Sequence, residues 1–176
     1  MRKADRIDII VSFLMESGVK MLLEELKKAM KRGAKVRILT GNYLGITQPS
    51  ALYLIKHELG ELVDLRFYNE KNRSFHPKSY IFHYADHSEI YIGSSNISRS
   101  ALTSGIEWNY RFSSHRDPEN YKKFYCTFED LFQNHSIVID DKELKRYSKT
   151  WHRPAASKDL DRYDNVEEEE DTKVRL

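Results

Sequence analysis

The chain has 176 residues, 40% of them hydrophobic and 32% charged. That balance supports one packed domain and excludes the disordered class. No apolar stretch approaches the ~20 residues that a membrane helix needs, and the charged opening, residues 1–6, carries no signal-peptide pattern. The single cysteine, Cys126, excludes an internal disulfide and a Cys-rich zinc site, so a reducing, cytoplasmic location is expected. The net charge of +2 hides a split: residues 154–176 hold four basic and eight acidic side chains, leaving 25 basic against 19 acidic in the body. A mildly basic body is compatible with a polyanionic partner.

In chain order, residues 7–13 form a short apolar run, as expected of a strand covered on both faces. Ser17-Gly18 is expected to break it. Leu22, Leu23, Leu26, Ala29 and Met30 then recur at helical spacing, with Gly33 placed as a C-cap. Residues 35–39 alternate as a second strand, parallel to the first across the helical crossover. A loop, residues 40–45, follows. It contains glycines but no Lys-Ser/Thr pair, so it is not a Walker A loop; its place at a strand end puts it beside any ligand site. Thr47 or Gln48 before Pro49 opens a second helix that Gly60 ends. Further strands are expected at 63–67, 79–82, 89–92 and 107–112, with the 79–82 and 89–92 runs paired across the turn at 85–88. Residues 121–132 form a helix with an aromatic packing face, on which Cys126 is expected to be buried and inert. Apolar periodicity ends after Trp151. The expected division is a domain at 1–153 and an acidic linker at 154–176. The abrupt start in a buried strand and the closing linker fit a fragment of a longer protein.

Three segments carry candidate chemistry: Phe75-His76-Pro77-Lys78, Gly93-Ser94-Ser95-Asn96 and Gly105-Ile106-Glu107-Trp108-Asn109. His76 and Lys78 stand two apart at the start of a strand, so both side chains leave the same face. An imidazole beside a fixed ammonium suits attack on a phosphodiester: the imidazole is the nucleophile and the ammonium neutralises the non-bridging oxygens. The small residues 93–95 let the backbone approach a ligand, and Asn96 offers a neutral donor. Glu107 is placed to orient the imidazole through its other nitrogen. His83, Asp86 and His87 carry the residue types of a metal cluster, but near a tight turn they are expected to be a solvated hairpin, and no metal is expected.

These segments resemble the phospholipase D superfamily, whose pattern is His-x-Lys, then Gly-Ser/Gly-x-Asn, then often a later acid. The strings at 91–102 and 105–109 are similar to phospholipase D-like nuclease domains fused to the N-terminus of DEAD/DEAH-type superfamily 2 helicases or found in restriction endonucleases. The resemblance covers roughly residues 7–132. It implies an α/β/α sandwich with a mixed, largely parallel sheet and helices on both faces. It implies a metal-independent, cofactor-free nuclease acting on DNA, with His76 as nucleophile, Lys78 and Asn96 holding phosphoryl oxygens together with Ser94 and Ser95, and Glu107 tuning the imidazole. The fuller motif places Asp five residues after the Lys, where this chain has His83. Only one copy of the motif is present, so the second histidine that the chemistry needs is expected from another chain in a homodimer with a shared site. The other readings are a non-catalytic nucleic-acid-binding module positioning a C-terminal helicase, and a phospholipid hydrolase, which the lack of a membrane-docking stretch disfavours.

Overall fold

The computed structural model describes residues 3–70 and 72–155, so nearly all of the acidic linker expected at 154–176 lies outside the described residues. Seven strands form one sheet: β1 (Arg6–Val11), β2 (Lys35–Thr40), β3 (Val63–Tyr68), β4 (Lys78–His83), β5 (Ser88–Gly93), β6 (Asn109–Ser113) and β7 (Ser136–Val138). Their order is β6-β5-β4-β1-β2-β3-β7. The mixed sheet is as expected, but it is not largely parallel. Only β1–β2 and β2–β3 run parallel, and β4, β5, β6 and β7 all pair antiparallel. The cause is connection length. Helical crossovers return the chain in the same direction after β1 and β2, whereas the four-residue turn between β4 and β5 can only form a hairpin.

The helices are α1 (Glu16–Lys31), α2 (Pro49–Leu59), α3 (Arg99–Leu102), α4 (Pro118–Asn134) and α5 (Asp141–Thr150). They lie on both faces, as side-chain alternation along the strands requires. Ile7, Ile9 and Val11 of β1 join Val36 and Ile38 of β2 in a core with Val19, Leu23 and Leu26 of α1 and Leu52 and Ile55 of α2. The alternate residues Ile10, Leu39, Ile81, Ile90 and Phe112 pack on Phe128 and Phe132 of α4. Full burial of each such side chain contributes about 1.5–3 kcal/mol.

Gly18 does not break the chain. It lies inside the first turn of α1, where a Cβ would stand 2.5 Å from the Ile97 carbonyl carbon. The glycine is there so that α1 can press against the loop after β5. Cys126 is exposed rather than buried, because α4 turns Phe128 and Phe132 to the sheet and the cysteine away from it. Glu107, expected inside the sixth strand, precedes β6, which begins at Asn109. The elements α3, α5 and β7 were not expected from the sequence. No helix among the described residues is long and apolar enough to cross a membrane.

Candidate active site

The end of β1, the start of β4 and the end of β5 meet at one rim of the sheet, through the register pairs Val11 with Lys78 and Ser79 with Ile92. Phe75 anchors the approach to this rim: it is buried, stacks on Tyr68 with ring centroids 4.4 Å apart, and lies against Gly41, where a Cβ would meet its ring at 2.6 Å. With Phe75 inward, His76 faces out. Ser12, just past β1, donates its hydroxyl to the Pro77 carbonyl at 3.2 Å and so ties β1 to the same turn.

His76 and Lys78 are together, as their spacing predicts. Lys78 Nζ lies 2.9 Å from His76 Nε2 and 3.0 Å from Nδ1, and donates to the His76 carbonyl at 3.2 Å. The lysine is only 8% exposed. Loss of solvent, and then the neighbouring ammonium, hold the His76 imidazole below its ordinary value of 6.5. Loss of solvent also lowers the Lys78 ammonium, with the Glu107 charge pulling in the opposite direction. The result is an imidazole held toward its neutral form, with the ammonium of Lys78 against its ring. The ring of Tyr43 lies 4.4 Å from that of His76, so the loop after β2 does border the site.

Asn96 is 6% exposed, and its Oδ1 accepts from the backbone N–H groups of Ser12 at 3.0 Å and Phe13 at 3.3 Å. Two N–H donors on one atom fix that atom as the amide oxygen, which leaves the Nδ2 donor for a ligand. The serines beside it have other duties. Ser94 Oγ donates to Glu107 Oε2 and accepts from Trp108 N at 3.0 Å. Ser95 Oγ accepts from Asn109 Nδ2 at 2.8 Å, while its carbonyl accepts from Tyr80 at 3.0 Å. Both hydroxyls, expected on phosphate, bond within the loop here, and the Ser95 hydroxyl keeps its own proton to donate. Glu107 does not touch His76 here. Its carboxylate is taken by Ser94, because Glu107 sits on the segment leading into β6 beside β5, and it reaches the site through its field on Lys78.

His83, at the position of the motif's Asp, is not a turn residue. Its Nε2 lies 2.7 Å from Asp8 Oδ2 and its Nδ1 3.0 Å from Ser88 Oγ. The His83 ring is thus held by a carboxylate of the neighbouring strand β1. Asp8, fully buried, also takes a two-pronged bond from Arg37 Nε and Nη2, both at 2.7 Å, and Arg37 continues to Glu129 of α4 at 2.6 Å. This network was missed in the sequence, although an acid alternating with isoleucines in Ile7-Asp8-Ile9 is its signal. His87 pairs with Asp86, and among the described residues no group of three or more His, Cys, Asp or Glu side chains converges as metal ligands would.

A family model described as cardiolipin synthase, PLD-like domain, matches residues 1–134. Among solved structures, the polyphosphate kinase of Porphyromonas gingivalis superposes with a TM-score of 0.59 at 16% identity, over 95% of this chain and 24% of that one. NucT from Helicobacter pylori gives 0.55 at 17%, over 76% of this chain and 82% of that one. The phosphatidylserine synthase of Haemophilus influenzae gives 0.56 at 13%, over 93% and 42%. The chain thus spans about a quarter of the kinase and under half of the synthase. No curated protein matches the sequence.

Proposed function

Because this chain belongs to the family of phospholipase D-like domains, we propose that it is a metal-independent phosphodiesterase, a DNA nuclease working through a phosphohistidine. The observation that carries the reading is the Lys78 ammonium held against the His76 ring, with the Asn96 amide turned to the same rim. In the first step the neutral His76 nitrogen attacks phosphorus, and the bond to one ester oxygen breaks. A second histidine, entering the step as the imidazolium while His76 is neutral, gives its proton to that oxygen as it leaves. Lys78 Nζ and Asn96 Nδ2 hold the non-bridging oxygens as charge builds on them. Water then attacks the phosphohistidine, the second histidine takes its proton, and His76 is released. The chain carries one copy of the motif, so the second histidine is His76 of another copy, and the active form is a two-fold homodimer with a shared site.

Nucleic acid as substrate is supported by the basic surplus of the body, 25 basic against 19 acidic residues, and by the similarity of residues 91–102 and 105–109 to nuclease domains joined to helicases or restriction enzymes. The same similarity supports a role as the N-terminal module of such a machine. The test is a DNA oligonucleotide digested in EDTA, with acid quenching avoided so that the phosphohistidine survives. Cleavage and a covalent adduct at His76 are expected, and both vanish in His76→Ala. Binding without any adduct would favour the non-catalytic module, and an absolute need for a divalent ion would sink the mechanism.

A further inference from the structure

The strand β6 is a lateral edge of the sheet, and its rings are arranged in order. Trp108 is 84% exposed, Tyr110 69% and Phe112 8%. Alternate residues of a strand share a face, spaced about 7 Å apart, and Trp108 extends that ladder through its carbonyl, which accepts from Ser94 N at 3.0 Å. The buried foot of the row, Phe112, lies 5.9 Å from Tyr110 and 5.7 Å from Phe124 of α4, ring centroid to centroid. Lys122 and Lys123 stand exposed beside Phe124. The row therefore begins at Trp108, bonded to Ser94 two residues before Asn96, and runs down the edge toward α4, which carries the two lysines.

Two large rings in water beside a phosphoryl site call for a flat, apolar ligand that carries phosphates. Resting on the nuclease reading above, we propose that Trp108 and Tyr110 are a stacking platform for the bases of single-stranded nucleic acid. Unpaired bases lie on the two rings while the backbone runs past Lys122 and Lys123 and over the rim to His76. A duplex hides its base faces, so it gains nothing from the rings, whereas every unpaired base has a face to offer. A second copy of the chain is the competing occupant, and sedimentation of the Trp108 variant distinguishes the two.

The experiment uses the non-cleaving His76→Ala chain at fixed salt, with oligo(dT) of twelve nucleotides and a duplex of the same length. Trp108 emission should be quenched by the single strand. Trp151, whose indole N–H donates to the Gly45 carbonyl at 2.7 Å, serves as the internal reference. Adding Trp108→Ala or Tyr110→Ala should weaken single-strand binding about ten-fold each, and Trp108→Phe should restore most of it. Equal binding of duplex and single strand by parent and Trp108→Ala chains would overturn the platform. So would a dimer that falls apart on sedimentation when Trp108 is replaced, since the row would then be an interface between copies. Should the parent bind as expected yet fail to cleave, the platform stands and the nuclease reading falls.

Discussion

His76 is exposed, yet its chemistry is set by its surroundings. Desolvation and the Lys78 charge hold the imidazole below its ordinary value of 6.5, so it is neutral at neutral pH and its basic form is the resting one. Followed by NMR, the His76 ring should titrate below the usual histidine range. Lys78→Met should move that titration upward, but only part of the way, because the desolvation remains. An unchanged titration in Lys78→Met would show that the ammonium does not act on the ring. In turnover, Lys78→Ala and Asn96→Ala should each lose roughly 10²-fold, the scale of removing one preorganised donor. Asn96→Asp is the sharper variant: its carboxylate can still accept from Ser12 and Phe13, so the loop keeps its shape, but the donor is gone and a negative charge faces the phosphate. Circular dichroism and thermal melts should match the parent while the rate collapses.

At the scale of elements, two contacts decide whether the rim is correctly built. Gly18 lets α1 touch the loop that carries Asn96, and a Cβ there would stand 2.5 Å from backbone atoms of Ile97 and Ser98. Gly18→Ala should cost about 1–3 kcal/mol and lower turnover further than its stability loss explains, which a melt and a rate measured on one sample would separate. Across the sheet, Asp8 joins β1, β2, β4 and α4. Burial alone would raise its carboxyl, but the bonds from Arg37 and His83 outweigh burial and bring it below 3.8. A lowered carboxyl stabilises the fold above its unfolded value, and that contribution is lost as pH falls through the folded value. Urea midpoints between pH 5 and pH 2 should therefore fall in the parent and fall less steeply in Asp8→Asn. Asp8→Ala should cost about 3–5 kcal/mol, or roughly 10 °C in Tm, because it takes the buried carboxylate from both Arg37 and His83 and leaves Arg37 only Glu129 as a carboxylate partner. Much of this scale was legible. An apolar run marked β1, alternation marked β2, a short turn marked the β4–β5 pair, and Gly33 and Gly60, both at positive φ, marked helix ends. What stayed hidden was decided by tertiary contact: Gly18 resembles a breaker until Ile97 is seen against it, β7 has three residues, and α5 is mostly charged with Leu144 as its buried contact. His76, Lys78 and Asn96 were legible as a set because their spacing fits strand starts and ends. The Asp8 network was not, because the partners that hydrogen-bond its carboxylate, Arg37 and His83, are 29 and 75 residues away.

For the whole molecule, the proposed homodimer with a shared site makes a quantitative demand. Mixed His76→Ala and parent chains should form heterodimers that cannot complete the reaction, so activity should fall faster than the parent fraction. A chain that sediments as a monomer at assay concentration and cleaves at full specific activity would exclude the shared site. The strand order carries one more consequence. The β4, β5 and β6 strands are a meander contiguous in sequence, and this stretch holds Lys78 and Asn96, with His76 and Glu107 beside its strands. The strand that completes the site, β1, joins from more than sixty residues upstream, since Val11 pairs with Lys78 and Ser12 N–H fixes Asn96. Local hairpins close quickly, and pairings distant in sequence close late. In refolding, the proposed catalytic groups should thus be gathered early and remain inert until β1 docks, so that recovery of activity follows the slowest pairing of the sheet rather than the appearance of the hairpins.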